Sequence, residues 1–305
     1  MDDLGKNQPE RRCTEVGGQA LIEGVMMRTP SRLAYAVRKK NGDIVLEVRK
    51  QKPLAQRNRF FALPIIRGIV NLVDSLLVGW QALSYSASVA FDEEEEKLSG
   101  FDMGIAVLMA LALFAGLFIA LPTFLTSLFD RFLSSTVFYN LVEGFIRVGI
   151  FLVYLVVISR MREIRRVFEY HGAEHKAIFV LEHGESLTPE NAEKFTTLHP
   201  RCGTNWLLVV MIVSIFVFSF LGRPGVIGRI VTRVLVIPIV AGLAYEIIKF
   251  LSRYQHNKFA YLLSLPGLLL QRITTREPDR SQLEVAFAAL KESLGEEDTR
   301  VAGEN

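Results

Sequence analysis

Cysteine is scarce in this sequence, since only Cys13 and Cys202 occur among 305 residues. Two cysteines so far apart exclude a disulfide framework and favour a reducing, cytosolic environment. A large charge of either sign is also lacking, because the formal net charge is +3, so overall charge gives no support to nucleic-acid binding. No apolar segment follows the polar first 13 residues, and we therefore expect no cleaved signal peptide.

Apolar residues are abundant instead, and they are unevenly placed. They make up 50% of the chain, and the mean hydropathy is +0.29, which is high for a soluble domain of this size. No charged residue lies between Asp102 and Asp130, and about 20 helical residues are enough to cross the hydrocarbon core of a bilayer. The sequence predicts a mainly α-helical, polytopic membrane protein.

About four transmembrane helices are expected, because each of four apolar stretches approaches the length that a bilayer requires. Basic residues are concentrated before the first stretch, between the second and the third, and after the fourth. The positive-inside rule then places these three regions and both termini in the cytosol. The four predicted spans cover residues 104–129, 138–159, 204–222 and 230–251.

The region ahead of these spans is predicted to contain a small β-rich element. Its β-prone runs flank Asn41-Gly42, a pair that provides the positive φ angles of a tight hairpin turn. A third strand is expected at 19–28. The predicted segments are a flexible tail at 1–18, the cytosolic β-rich element at 19–59, an amphipathic membrane-associated helix at 60–91 and an acidic linker at 92–103.

The rest of the chain is predicted to be a membrane bundle followed by a polar tail. The apolar run 259–270 contains Pro266-Gly267 and is too short to cross a bilayer, so we expect it to be interfacial or re-entrant. Apolar positions at helical spacing predict a short helix at 281–294 that packs or binds a partner. The segments are the bundle at 104–272, its cytosolic His/Cys loop at 160–205 and the tail at 273–305.

Four polar residues outside that loop are further candidates. Glu143 and Arg147 lie four residues apart in the second predicted span, either as a structural ion pair or as part of a functional site in the bundle. Glu23 and Arg28 lie in a glycine-punctuated stretch, GGQALIEGVMMR. A tight backbone turn is one interpretation of this stretch, and a contribution to a site is the other.

The motif that points to chemistry is EYHGAEHK, which continues from the second predicted span. His171 and His175 are four residues apart, so on a helix they share one face and can bind one metal ion. Glu174 lies beside them, and the order H-x-x-E-H occurs in the inverzincin metallopeptidases, where the glutamate is the general base. The pattern therefore predicts a metal site with Glu174 as the catalytic base.

A second cluster, LHPRCGTN, strengthens this prediction by adding His199 and Cys202 just before the third predicted span. These residue types favour a divalent transition metal, with zinc the best fit. Four ligands would make a closed structural site, whereas three would leave a position for a water whose pKa the metal lowers. The sequence leaves both arrangements open.

Three motifs in the same order, GGQALIEGVMMR, YHGAEHK and HPRCGTN, resemble those of the YqhQ-like family of bacterial membrane proteins, a domain of unknown function. The resemblance extends from Gly17 to about Arg276. Members of the family are described as predicted metal-dependent enzymes of the inner membrane. The resemblance implies a multi-pass protein of the bacterial cytoplasmic membrane whose motif positions are His171, Glu174, His175, His199 and Cys202.

These features lead to one main hypothesis and two alternatives. The main hypothesis is a metal-dependent hydrolase that acts on a membrane-associated substrate at the cytosolic face of the bilayer. The first alternative is a non-catalytic scaffold or assembly factor for other membrane proteins, in which the His and Cys residues only hold the loop. A transporter based on Glu143 and Arg147 is the second, although the predicted spans show no internal repeat.

Overall fold

The computed structural model describes residues 16–91, 100–200, 202–222, 224–253 and 258–295. The predictions for Cys13, for most of the tail at 1–18 and for the acidic run at 92–96 lie outside the described residues.

The N-terminal element is an antiparallel sheet of four strands in the order of the sequence. The stretch expected to form one strand at 19–28 instead forms a hairpin of two. The chain turns at Ile22 and Glu23, and Glu23 adopts a φ of 53°. The predicted turn at Asn41-Gly42 lies in a five-residue loop, in which Gly42 has a φ of 95°. The strands are β1 (Gly17–Leu21), β2 (Gly24–Arg28), β3 (Arg32–Arg38) and β4 (Ile44–Lys50).

The rest of the described chain is mainly helical. Two short 3-10 helices, Leu54–Gln56 and Arg59–Ala62, lead into the first long helix. A five-residue π-helical segment, Gly116–Ala120, joins α2 to α3. The helices are α1 (Ile66–Ala90), α2 (Gly100–Ala115), α3 (Leu121–Ser127), α4 (Thr136–Ile158), α5 (Arg162–Glu182), α6 (Pro189–Ala192), α7 (Gly203–Ser219), α8 (Val226–Arg253), α9 (Lys258–Thr274) and α10 (Arg280–Leu294).

Three helical stretches in the described chain are long and apolar enough to cross a membrane, where the sequence predicted four. They are Gly104–Ser127, Thr136–Ile158 and Ile227–Phe250. The stretch predicted at 204–222 differs because α7 has 17 residues, which corresponds to a length of about 25 Å. It ends at Ser219, shortly before Gly222 and Pro224, and both residue types favour helix termination.

The sheet, α5 and α10 share one hydrophobic core. The predicted C-terminal helix forms with a capping box, in which Asp279 and Gln282 satisfy each other's backbone N–H groups. It buries Phe287 and Leu290 against the sheet and α5. Residues from the start, the middle and the end of the described chain therefore belong to one folded unit.

Helix α1 is amphipathic, and its polar and small residues face inward. Asp74 and Ser86 are buried on that side, and Arg67 forms an ion pair with Glu246 of α8. The opposite side leaves large apolar residues exposed, because the sheet and α8 cover only the polar side. The exposed apolar residues are Val73, Leu76, Leu77, Trp80 and Leu83.

Glu143 and Arg147 lie inside the helical bundle, in a buried ion-pair cluster. The Glu143 carboxylate accepts from Arg147 and from the Thr123 hydroxyl, each at 3.0 Å. Arg233 of α8 also binds this carboxylate. The cluster joins α3, α4 and α8, as expected of a structural ion pair, and a functional role for the pair stays a prediction.

Two glycines in helices provide a matched test of how closely the segment after α9 packs against α5. A Cβ added at Gly172 of α5 would overlap the backbone carbonyl oxygen of Arg276, whereas one at Gly149 of α4 would meet no described atom within 4 Å. We expect Gly172→Ala to reduce the free energy of unfolding by about 1–3 kcal/mol or more, as overpacking does. Thermal unfolding of the detergent-solubilised protein measures this. Gly149→Ala should leave the Tm unchanged or slightly higher, and an equal Tm for the two variants would contradict the packing described.

Candidate metal centre

Helix α5 brings three of the predicted site residues to one place. It spans Arg162–Glu182, and the two residues after it are His183 and Gly184. Gly184 adopts a φ of 67°, as expected just after a helix C-terminus. His171 and His175 are one turn apart, and their ring centroids are separated by 4.4 Å. The two imidazoles are therefore neighbours on one side of α5.

Cys202 reaches this pair from the start of α7. It is the N-cap residue of α7, and its Sγ accepts a hydrogen bond from the Thr204 amide at 3.3 Å. The possible ligand atoms of His171, His175 and Cys202 all lie within 4.8 Å of one another, and Nε2 of His171 is 3.2 Å from Sγ. Zinc bonds of about 2.0–2.3 Å in tetrahedral geometry separate ligand atoms by about 3.5 Å, so small side-chain movements would suffice.

Backbone carbonyl oxygens fix the tautomer of both histidines. Nδ1 of His171 lies 2.8 Å from the Thr274 carbonyl oxygen, and Nδ1 of His175 lies 2.5 Å from that of Thr197. A carbonyl oxygen only accepts, so each Nδ1 carries the proton and each Nε2 presents a lone pair. Histidines that bind metals are oriented in this way in many proteins.

Nε2 of His175 is buried and has no hydrogen-bond partner among the described residues. An unsatisfied buried acceptor costs about 1–3 kcal/mol, which makes this atom the least explained polar group of the site. One ring nitrogen of His175 lies within 4.8 Å of the ligand atoms of His171 and Cys202, and Nε2 is the nitrogen that the Thr197 carbonyl leaves open. A metal ion held by the three atoms would satisfy it.

The protonation states also suit a metal ligand set. Burial lowers the pKa of His175, which favours the neutral imidazole. Burial raises the pKa of the Cys202 thiol, but the protonated form of the His175 ring, which donates to the thiolate, and the donors of Thr204 outweigh this and leave the pKa below its usual value. A metal ion bound by both residues would take the place of that proton. The thiolate is the form of cysteine that binds metals.

Glu174 is buried next to this group, against the first strand of the sheet. A Cβ added at Gly18 would lie 2.8 Å from the Glu174 carboxyl carbon, so only glycine leaves room for the side chain. Burial raises the pKa of Glu174 to about 8, although the nearby His171 opposes the shift. The carboxyl group can therefore hold or release a proton near neutral pH.

A cavity of about 760 Å³ opens beside the site and gives it space for a small molecule. Its wall includes His171, Glu174 and Cys202 on one part and Arg28 and Asp74 on another.

His199 is the predicted ligand that the structure does not bring into the group. Its Nε2 is 3.1 Å from a Glu182 carboxylate oxygen, and its backbone makes two hydrogen bonds of 2.8 Å with the Gln271 side chain. Burial lowers the pKa of His199 to about 4, so the ring is neutral and the contact is a hydrogen bond rather than an ion pair. His199 anchors the segment that carries Cys202.

The two remaining candidates, Glu23 and Arg28, have different surroundings. Glu23 forms an ion pair with Arg166 of α5, with Nη2 of Arg166 at 2.6 Å from its carboxylate, and does not line the cavity. Arg28 lines the cavity and donates to Asp74. Sequence reasoning missed Thr197, Thr274 and Gln271, because two of them act through backbone carbonyl groups that any residue has.

Comparison with known proteins identifies relatives but no activity. A family model described as "Protein of unknown function (DUF1385)" matches residues 63–296. A protein of Bacillus subtilis strain 168, "Uncharacterized protein YqhQ", is 31% identical over 291 residues, which cover 91% of this chain and 92% of that protein. No solved structure matches the chain.

Metal content of His175→Ala tests the site directly. We expect the purified wild-type protein to carry about one zinc ion per chain by elemental analysis, and His175→Ala to lose most of it, because the variant lacks one of three ligands. His183→Ala is the matched control, since His183 is exposed at the end of the same helix and contacts the Phe179 carbonyl oxygen. Equal metal content in all three proteins would contradict the assignment.

Proposed function

The chain belongs to the DUF1385 family of proteins of unknown function, and we propose that it is a metal-dependent hydrolase at the cytosolic face of the bacterial cytoplasmic membrane. The observation that carries this proposal is the buried, unsatisfied Nε2 of His175 beside His171 and Cys202. The substrate class we propose is a membrane-associated molecule.

The number of ligands favours catalysis over a purely structural role. A zinc ion with three protein ligands acts as a Lewis acid and lowers the pKa of a water in its fourth position. His171 and His175 would hold the ion through Nε2, and Cys202 through Sγ. Glu174, whose pKa burial raises to about 8, would accept a proton on its carboxylate as general base and return it to the leaving group.

The shared core supports the proposed orientation in the membrane. The sheet, α5 and α10 pack together, so they lie on one side of any bilayer. The chain between α1 and α5, and again between α5 and α10, must then cross an even number of times. We propose that α7 crosses together with α8, which also keeps both termini and the basic regions in the cytosol.

A second candidate function has one observation in its favour. The Cys202 thiol is able to donate to Nε2 of His171 across 3.2 Å, so the cluster can join α5 to α7 without a metal ion. In that case the protein would be a non-catalytic scaffold for other membrane proteins.

Cobalt substitution distinguishes an open site from a closed one. We expect the Co²⁺ protein to show a thiolate-to-cobalt charge-transfer band and a visible spectrum that changes when azide is added, because three protein ligands leave one position open. His171→Ala/His175→Ala should show neither feature. A cobalt spectrum that azide leaves unchanged would indicate a closed structural site and favour the scaffold.

Glu174→Gln tests the proposed base. We expect it to retain metal, since Glu174 is not a ligand, while hydrolysis of a panel of p-nitrophenyl esters and phosphodiesters in mixed micelles falls by about 10²–10⁴-fold. The His171→Ala/His175→Ala protein gives the background rate. Hydrolysis by wild-type protein at that background rate across the whole panel would count against the enzyme.

A further inference from the structure

The cavity beside the candidate metal centre is built from both the sheet-containing unit and the apolar helices. Met26 of β2 and Leu72 of α1 contribute to its wall, as do Trp206 of α7 and Tyr245 of α8. Its lining is mainly apolar. Tryptophan and tyrosine are enriched where membrane helices meet water, so this wall is suited to a molecule that extends from the bilayer.

One cationic side chain gives the apolar cavity a polar anchor. Arg28 lines the cavity, and its side chain is 22% exposed. One of its nitrogens, Nη2, donates to Asp74, whereas a guanidinium has five N–H donors. The remaining donors are suited to a phosphate or carboxylate group, which arginine binds through two parallel hydrogen bonds.

The outer face of α1 has the pattern of a helix that contacts lipid. Its exposed apolar residues, which include Leu76, Leu77 and Trp80, recur at the spacing of one helix face. A close approach of Gly68 to Gly242 of α8 holds α1 against the longest apolar helix. A helix with this pattern lies in the interface plane of a bilayer, and the other face of the same helix lines the cavity.

We propose that the cavity binds a bilayer amphiphile, with an anionic head held by Arg28 and an apolar chain against Leu72, Trp206 and Tyr245. The inference rests on the proposed function in taking this molecule as the substrate of the metal centre. The binding step itself requires Arg28 and the apolar wall, and it is therefore testable without a metal ion.

Tryptophan fluorescence provides the test. The chain has two tryptophans, so Trp80→Phe leaves Trp206, in the cavity wall, as the only one. The full-length protein is reconstituted in phosphatidylcholine vesicles that contain increasing fractions of brominated phosphatidic acid or brominated phosphatidylcholine. We expect half-maximal quenching at an about tenfold lower fraction of the anionic lipid, equivalent to about 1.4 kcal/mol.

The variants separate head-group binding from a general effect of charge. Arg28→Gln/Asp74→Asn removes both charges of the pair without leaving a buried carboxylate unpaired, and it should abolish the preference for the anionic lipid. Arg49→Gln is the matched control, because Arg49 is a partly exposed arginine of β4 that pairs with Glu47 outside the cavity. The preference should survive in Arg49→Gln, and an equal loss in both variants would overturn the proposal.

Two further arms separate this inference from the proposed function. His171→Ala/His175→Ala should keep the anionic preference, since Arg28 is unaltered. If the wild-type protein prefers the anionic lipid but binds no metal, the inference stands and the proposed hydrolase function is wrong. If the protein binds metal but shows no preference for the anionic lipid, only the inference is overturned. Loss of the preference on adding millimolar inorganic phosphate would show that the site takes a free anion, which also overturns it.

Discussion

Two backbone carbonyl oxygens determine what the histidine pair can do. Those of Thr197 and Thr274 each accept a hydrogen bond from Nδ1 of a histidine, and this leaves both Nε2 atoms free to act as ligands on the side of Cys202. The two carbonyls lie 22 and 103 positions after the histidines that they contact. The site therefore exists only when the two segments that carry these carbonyls are docked on α5.

Further contacts hold these two segments against α5. Gly172 allows the backbone at Arg276 to contact α5, and buried Lys176 pairs with Glu277. On the other side, Gln271 of α9 holds the backbone of His199. Helices α7 and α8 lie between the two docked segments in the sequence, and Thr274 is the last residue of α9. The same contacts therefore connect the site to the apolar helices. A metal ion would add one more connection between α5 and α7.

The sequence predicted the elements whose signal is local. Apolar length predicted four membrane helices, and three helical stretches of the described chain are long and apolar enough to be spans. Helical spacing predicted the shared face of His171 and His175, and the two rings are neighbours. The sequence could not predict the partners, because these contacts are made by distant segments. His199 has the residue type of a ligand but is held by Glu182, and Arg67 finds its partner Glu246 179 positions away. The C-terminal end of α7 was misplaced at 222, because apolar composition continues beyond Ser219, where the helix ends.

X-ray absorption at the zinc edge of the purified wild-type protein tests the central claim most directly. The account predicts one metal ion per chain with one sulfur ligand at about 2.3 Å and nitrogen or oxygen ligands at about 2.0–2.1 Å, two of them with the outer-shell scattering of imidazole. A shell without sulfur, or a folded protein without bound metal, would contradict it.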